Sequence, residues 1–268
     1  MSLSQIVLLG ILQGATEFLP ISSSGHLVIV PYLLGWTPSS LAVDTVLHLG
    51  TLVAILIYFR RELLEIGEAW WQSLRTRSGA SPAARLAWLI ILGSVPAALI
   101  GFLLEDWFES LFARPRAAAL FLLGTAALLV LSEYLARRSR RLESMSWREA
   151  LFIGLAQSLA IAPGLSRSGS TIAAGLILGY QREDATRFSF LLAVPIVLGS
   201  GLYQLLQLTG GNDVGVSLGG LALGFLAAAL TGYAAIAGLL ALVKRRSLWP
   251  FALYCAALGL LVLTGALG

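Results

Sequence analysis

Apolar residues fill most of this chain in stretches long enough for a helix to cross a bilayer. Crossing about 30 Å of hydrocarbon takes about 17–25 helical residues. Six stretches meet that length, at 43–59, 86–104, 117–136, 188–207, 217–242 and 249–267. Two further apolar regions, 3–35 and 150–180, are interrupted by proline, glycine and serine, and their arms of about 10–15 residues suit re-entrant helix-loop-helix hairpins. The pattern predicts an all-α polytopic membrane protein with about six transmembrane helices and two re-entrant hairpins.

The composition agrees with a membrane protein. Hydrophobic residues make up 57% of the 268 positions and charged residues 12%, against about 25% charged in soluble domains. The opening segment has neither a basic start nor a small-residue cleavage site, so we expect it to be retained and not removed as a signal peptide. Cys255 lies in an apolar stretch and has no second cysteine for a disulfide or a metal site.

Arginine and lysine are concentrated in three regions, 60–85, 137–148 and 244–246. Such clusters beside apolar spans mark cytoplasmic loops, and they give the orientation of the protein in the membrane. The net charge of +4 is explained by these loops, and we expect no nucleic-acid partner. The loops near 105–116 and 208–216 and both chain ends are then expected outside the cytoplasm. With these directions, the first interrupted region enters the membrane from outside and the second from the cytoplasm.

The two interrupted regions are similar in sequence. Residues 10–27 read GILQGATEFLPISSSGHL and residues 154–171 read GLAQSLAIAPGLSRSGST. The identities at one offset pair Gly10 with Gly154, Gln13 with Gln157, Ser22 with Ser166, Ser24 with Ser168 and Gly25 with Gly169. A weaker similarity pairs 93–102 with 224–233. Together with the opposite insertions, this predicts a single membrane domain over 1–268, built from inverted repeats at approximately 1–136 and 149–268.

The interruptions are predicted to form an anion site. Pro20 and the pair Pro163 and Gly164 should end the first arm of each hairpin, and the serine-glycine runs should cap the second arms. Two helix N-termini then face each other in the membrane, where their N–H groups favour phosphate. Arg167 adds a permanent cation with bidentate geometry for phosphoryl oxygens. The predicted binding residues are Gln13, Ser22, Ser24, Gly25, Ser166, Ser168, Gly169 and Thr171.

Acidic and histidine side chains occur in the first hairpin only. Glu17 lies one helical turn from Gln13, and His26 follows across the break. A carboxylate, an amide and an imidazole near an arginine are the groups needed for acid-base or covalent chemistry. The second hairpin has Ile161 and Ser170 at the positions of Glu17 and His26, and this asymmetry favours chemistry over symmetric transport.

These side chains also have structural interpretations. The serines could serve in helix capping or helix packing, and Arg167 could be a loop arginine whose side chain extends to the membrane surface. Glu17 could be a structural hydrogen-bond acceptor for a backbone N–H, and His26 could form a structural hydrogen bond between helices. Asp44 and His48 lie near the outer end of their span, and we expect both to be solvated at the interface and His48 to matter less than His26.

Two motifs, QGATEFLPISSSGH and PGLSRSGST, resemble the signatures of the undecaprenyl-diphosphate phosphatases, integral-membrane proteins associated with bacitracin resistance. The resemblance covers nearly the whole chain in length, segment order and both motifs. It implies hydrolysis of a long polyprenyl diphosphate to the monophosphate and inorganic phosphate, which recycles the lipid carrier of cell-wall synthesis. It also implies a multi-pass protein of the bacterial plasma membrane, an active site at the outer face, and a divalent cation, Mg²⁺.

The matching residues are Gln13, Glu17, Ser23 and His26 in the first motif and Ser166 and Arg167 in the second. The resemblance implies catalytic roles for Glu17, Ser23, His26 and Arg167. Gln13 stands where other members carry glutamate, so a metal held by two carboxylates is not expected, and Glu17 is the one predicted metal ligand. The nucleophile is open between His26, Ser23 and water.

Two other functions compete with a phosphatase of this family. An inverted repeat with broken helices is also typical of a transporter or flippase for a phosphorylated lipid or another anion. The phosphatidic-acid phosphatases need a histidine after the serine-arginine pair, but His26 and His48 both precede Arg167. The expected partners are therefore a polyprenyl diphosphate and membrane lipids, and the sequence leaves open whether the protein forms a homo-oligomer.

Overall fold

The computed structural model describes residues 1–76, 81–208 and 216–265, and within them the chain forms twelve α-helices and one 3₁₀ helix. In chain order the α-helices are α1 (Leu3–Phe18), α2 (Ser23–Leu34), α3 (Leu41–Tyr58), α4 (Arg60–Thr76), α5 (Pro82–Leu103), α6 (Glu105–Phe112), α7 (Pro115–Leu135), α8 (Trp147–Leu159), α9 (Arg167–Ile177), α10 (Arg182–Leu208), α11 (Leu218–Val243) and α12 (Trp249–Thr264). The 3₁₀ helix is Leu142–Ser144. The predicted all-α class is confirmed.

Of the described helices, five are long and apolar enough to cross a membrane: α3, α5, α7, α10 and α11. They coincide with five of the six predicted spans. The sixth, 249–267, contains α12, whose 16 described residues reach only about 24 Å. Positions 266 and 267 of that span, and most of the predicted outer loop 208–216, lie outside the described residues. The protein is therefore polytopic, with α12 as a shorter apolar helix.

Each interrupted region folds into two short helices. The first region has arms of 16 and 12 residues, and the second has arms of 13 and 11 residues. Ser22 caps α2 by accepting a hydrogen bond from the N–H of Gly25 at 3.2 Å, and Ser166 caps α9 through the N–H of Gly169 at 3.0 Å. The predicted breaks and caps are confirmed, whereas re-entrant insertion into a membrane stays a prediction.

Matched glycines bring helices from the two halves together. A Cβ atom at Gly10 would lie 2.4 Å from the carbonyl oxygen of Gly224, so α1 and α11 touch backbone to backbone. A Cβ atom at Gly154 would lie 2.2 Å from the carbonyl oxygen of Gly93, so α8 and α5 do the same. The sequence alignment pairs Gly10 with Gly154 and Gly93 with Gly224, which makes the two contacts equivalent. We propose that the two halves of the chain, approximately 1–136 and 149–268, are the predicted repeats. Their opposite orientation in a membrane stays a prediction.

The arginine-rich regions meet at one end of the helices. Arg85 donates to the carbonyl oxygens of Glu143 and Met145, at 3.2 and 2.6 Å, and so joins the first region to the second. Glu133, near the end of α7, forms an ion pair with Arg138 of the second region and accepts from the backbone N–H of Leu248, just after the third region. The arginine-rich regions are therefore linked at one surface.

Glu149, in the first turn of α8, anchors the second hairpin to this surface. It forms an ion pair with Arg140 and accepts hydrogen bonds from Ser146 and from the hydroxyl of Tyr180. Partial burial raises the pKa of Glu149, but these hydrogen bonds outweigh it and hold the pKa at about 2. The carboxylate is therefore charged at neutral pH, where it fixes the start of α8.

We expect Gly154→Ala to destabilise the protein because the added Cβ would meet the Gly93 backbone, which has no flexible end to move aside. Overpacking of this kind costs about 1–3 kcal/mol. Gly67→Ala is the matched control, since no atom lies within 4 Å of its added Cβ in α4 and the change should stabilise by about 0.5–1 kcal/mol. Thermal unfolding in detergent measures both, and equal stability of the two variants would contradict the close contact of α8 with α5.

Candidate active site

A cavity of about 430 Å³ lies where the two hairpins meet. The polar hairpin residues that line it are Glu17, Ser22, Ser23, Ser24, Gln157, Ser166 and Arg167. His48 enters from α3, and most of the remaining wall is apolar and comes from α5, α6 and α10. The cavity therefore has a polar end, built by the two interrupted regions, and an apolar wall.

The turns of the two hairpins are bonded directly to each other. The hydroxyl of Ser22 accepts from the N–H of Gly164 at 3.1 Å, and the hydroxyl of Ser168 donates to the carbonyl oxygen of Leu19 at 2.9 Å. A Cβ at Gly25 would lie 2.9 Å from the Cα of Gly164, so glycine permits the crossing. The N-terminal ends of α2 and α9 consequently lie side by side, as the sequence predicts.

Glu17 is the centre of the polar end, although it is only 8% exposed. Its Oε2 accepts a hydrogen bond from Nε2 of Gln13 at 3.0 Å and from the hydroxyl of Ser23 at 2.5 Å. Its Oε1 accepts from Nη2 of Arg167 at 3.2 Å, across the junction of the hairpins. A buried carboxylate is stable only when it is paired and hydrogen-bonded, and both oxygens of Glu17 meet that condition.

Ser23 and Glu17 have the arrangement of a hydroxyl and a carboxylate that can accept its proton. Ser23 is the first residue of α2, so its hydroxyl lies where the unpaired N–H groups of the helix concentrate positive charge. Its proton already points to a buried carboxylate that can accept it. A hydroxyl hydrogen-bonded to a base, with that base oriented by a third group, is the arrangement of an activated nucleophile.

One terminal nitrogen of the Arg167 guanidinium forms a hydrogen bond, and the other has no partner among the described residues. Nη2 is bonded to Glu17, whereas Nη1 is buried and has no hydrogen-bond partner in the described part of the protein. Arg167 is the first residue of α9, so its charge adds to the positive N-terminus of that helix. Nη1 is thus an unused donor, on a residue that lines the cavity, and such a donor can bind an anion.

His26 does not reach the cavity. It is 1% exposed, with Nδ1 2.6 Å from the carbonyl oxygen of Ser22 and Nε2 2.7 Å from the hydroxyl of Tyr254 on α12. Because a carbonyl only accepts, Nδ1 carries the proton and Nε2 accepts from Tyr254. Both nitrogens are therefore engaged, and the ring holds the Ser22 turn against α12. The catalytic role of His26 stays a prediction.

His48 lines the cavity, contrary to the expectation that it is solvated at the interface. Its side chain is 28% exposed and its Nε2 lies 4.0 Å from Oε2 of Glu17. Nδ1 lies 2.8 Å from the backbone carbonyl oxygen of Asp44, which places the proton on Nδ1 and leaves the lone pair of Nε2 open. The signal that could have identified it is an ionisable residue within a predicted span, which is a functional candidate by default.

The predicted binding residues fall into two groups. Ser22, Ser24 and Ser166 line the cavity. The residues behind it are Gln13, Gly25, Ser168, Gly169 and Thr171. Those residues hold the scaffold together, as Thr171 does through its hydroxyl, 2.6 Å from that of Ser189 on α10. A direct contact of these five residues with substrate stays a prediction.

Comparison with known proteins identifies the family of this fold and site. The family described as bacitracin resistance protein BacA matches residues 6–261. The chain belongs to the BacA family. Relatives within it include an undecaprenyl-diphosphatase of Pelobacter propionicus, 46% identical over 258 residues that cover 95% of this chain and 93% of the relative. Another from Rubrobacter xylanophilus is 46% identical over 270 residues, covering 98% and 97%.

An undecaprenyl-diphosphatase of Nitrosococcus oceani is 44% identical over 262 residues, which cover 98% of both chains. Matches of this extent include both hairpins and every helix that lines the cavity. The site described above therefore lies within the part of the chain that this BacA-family protein shares with its relatives.

Proposed function

We propose that this protein is an undecaprenyl-diphosphatase, which hydrolyses undecaprenyl diphosphate to undecaprenyl phosphate and inorganic phosphate. The observation that carries the proposal is the hydroxyl of Ser23 donating to Glu17 beside Arg167, at the polar end of a cavity with an apolar wall. Relatives with this name match nearly the whole chain. The reaction returns the lipid carrier to cell-wall synthesis and accounts for the bacitracin resistance in the family's description.

The two ends of the cavity suit the two parts of this substrate. The diphosphate lies against the N-termini of α2 and α9, which favour anions, and against Nη1 of Arg167. The first part of the prenyl chain follows the apolar wall, which includes Ala97 of α5, Phe112 of α6 and Ile196 of α10. The rest of the chain is longer than the cavity and stays among the membrane lipids.

Ser23 is the nucleophile in this proposal, because its hydroxyl is bonded to a base while His26 has no free nitrogen. Its Oγ attacks the terminal phosphorus as its proton passes to Glu17, and the bond to the bridging oxygen breaks, which releases undecaprenyl phosphate. Arg167 and the helix N-termini stabilise the charge that develops on the transferring phosphoryl group. After its proton has passed to solvent, Glu17 accepts a proton from an attacking water and returns it to Oγ of Ser23 as phosphate leaves.

His48 is the group to which the proton of Glu17 can pass. Its open Nε2 faces Oε2 of Glu17 at 4.0 Å, so a small side-chain movement brings the two atoms within hydrogen-bond distance. His48 also borders the cavity, through which the proton can reach water. The pair supplies the acid-base function that the sequence analysis assigned to His26 and Glu17.

Mg²⁺ fits this site as an ion that enters with the substrate. Among the described residues, no group of three or more acidic, histidine or cysteine side chains forms a metal site. Glu17 offers carboxylate oxygens, and beside it Oε1 of Gln13 is buried without a hydrogen-bond partner in the described structure. Mg²⁺ commonly binds through one or two carboxylates together with substrate phosphates and water. Bound there, it would supply positive charge that offsets the charge of the diphosphate.

We expect the detergent-solubilised protein to release phosphate from undecaprenyl diphosphate in the presence of Mg²⁺, and we expect EDTA to stop the release. Arg167→Lys keeps the charge but loses the planar fork, so kcat should fall by about 100–1000-fold, the effect of losing one oxyanion donor. Ser158→Ala, a buried change on α8 outside the cavity, is the control and should keep the wild-type rate. A transporter would release no phosphate, and a fully active Arg167→Lys variant would contradict the phosphate contact.

The two histidines are distinguished by separate effects on kcat and KM. His48→Gln should lower kcat by about a hundredfold with a small change in KM, because it removes an acid-base group that borders the cavity. His26→Asn should raise KM more than it lowers kcat, since it disturbs the position of the Ser22 turn, which lines the cavity. The reverse pattern in the two variants would return the acid-base role to His26.

We further propose that the arginine-rich end faces the cytoplasm of a bacterial plasma membrane and that the cavity opens to the outer face. The positive charge at that end supports this orientation. The cavity is lined by Glu105, which follows the end of α5 opposite Arg85, and by Tyr203, which lies near the end of α10 opposite Arg182. A reporter fused after Gly268 should be extracytoplasmic and one inserted near Arg138 cytoplasmic. The opposite pair of results would place the cavity on the cytoplasmic side.

A further inference from the structure

Gln157 is a buried amide that no protein group satisfies. It lies on α8, lines the cavity and is only 2% exposed. Neither its Nε2 nor its Oε1 has a hydrogen-bond partner in the described part of the protein. An unpaired buried amide costs free energy, so a position that keeps one is expected to find its partner in a ligand or in ordered water.

The repeat explains why this amide is unpaired. Gln13, at the equivalent position of the first hairpin, donates to Glu17 one turn further along α1. The residue equivalent to Glu17 in the second hairpin is Ile161, which offers no acceptor. The same amide therefore hydrogen-bonds the Glu17 carboxylate in one half, whereas in the other half it belongs to a cavity-lining residue and has no partner among the described residues.

A second unpaired donor belongs to another residue that lines the same cavity. Nη1 of Arg167 is buried without a partner in the described residues, like the amide of Gln157. A guanidinium donor and an amide donor beside an apolar wall select a ligand that is anionic and rich in acceptor oxygens. On the proposed function, on which this inference rests, that ligand is the diphosphate group of the substrate.

We propose that Gln157 is a substrate-binding residue, whose Nε2 donates a hydrogen bond to a phosphoryl oxygen of the bound diphosphate. Its Oε1 accepts from a water molecule that solvates the same group. Gln157 takes no part in proton transfer, since an amide neither gives up nor accepts a proton at neutral pH. It thus contributes affinity and orientation, and it extends the binding surface from the hairpin turns onto α8.

The test separates binding from folding by using a prenyl methylenediphosphonate, which cannot be hydrolysed. This analogue should raise the Tm of the wild-type protein in detergent, because a ligand that binds only the folded state stabilises it. Gln157→Leu should leave the Tm without analogue unchanged or higher, since it removes an unpaired buried amide. The same variant should lose most of the rise with analogue, and its KM should increase by about tenfold to a hundredfold with a smaller change in kcat.

Gln157→Glu is the second variant, because it keeps the shape of the side chain and replaces the donor by a carboxylate. We expect it to bind the analogue more weakly than Gln157→Leu does, through repulsion of the anion. Ser158→Ala is the matched control, because Ser158 is the next residue of α8, is buried, and donates to the carbonyl oxygen of Gly154 at 2.9 Å. Its rise in Tm with analogue should equal that of the wild-type protein.

The outcomes distinguish this inference from the proposed function. Wild-type analogue binding and KM in both Gln157 variants would overturn the inference, even when phosphate release confirms the phosphatase. A lower Tm without analogue and an unchanged rise with it would show a structural role and overturn the inference equally. Analogue binding that depends on Gln157, in a protein that releases no phosphate, would support the contact and overturn the phosphatase.

Discussion

A buried carboxylate that has to be compensated is the constraint on which the rest of the site depends. Glu17 lies in the first hairpin, and its cationic partner Arg167 comes from the second, so the charge of one half is balanced only when the two halves meet. Gln13 and Ser23 satisfy the other oxygen. The hydrogen bonds that make Glu17 tolerable in an apolar interior are also those that orient it as a base. Folding and chemistry therefore rely on the same contacts.

The meeting of the two halves is permitted by glycine and fixed by serine. Gly164 has a φ of 100°, and a Cβ there would lie 2.1 Å from the carbonyl oxygen of Ala118, so the turn accepts only glycine. Ser22 adopts a φ of 70°, an uncommon conformation for a residue with a side chain, and its hydroxyl is bonded to the N–H groups of Gly25 and Gly164. Such strain persists where surrounding bonds hold it, and here it aims two helix N-termini at one cavity.

Duplication of a scaffold and divergence of its polar residues together account for the site. Equivalent glycines and equivalent serine caps give both halves the same turn and the same helix packing. The polar positions differ between the halves, because Glu17 is matched by Ile161 and Ser23 by the arginine Arg167. One half thus provides the base and the hydroxyl, and the other provides the cation. A symmetric pair of hairpins would give two carboxylates or two cations at the junction, and neither arrangement is balanced.

Local and periodic features of this protein were determined by the sequence alone: the helical class, five of the spans, the breaks before α2 and α9, their serine caps and the equivalence of Gly10 with Gly154. These depend on residues a few positions apart, which act on one another in any fold. The tertiary structure decided which polar side chains face the cavity. It turned His26 toward Tyr254, brought His48 to Glu17 and left Gln157 without a partner among the described residues. The physical reason is that the spacing of residues shows which side chains share one face of a helix, whereas the surroundings of that face depend on helices far away in the chain.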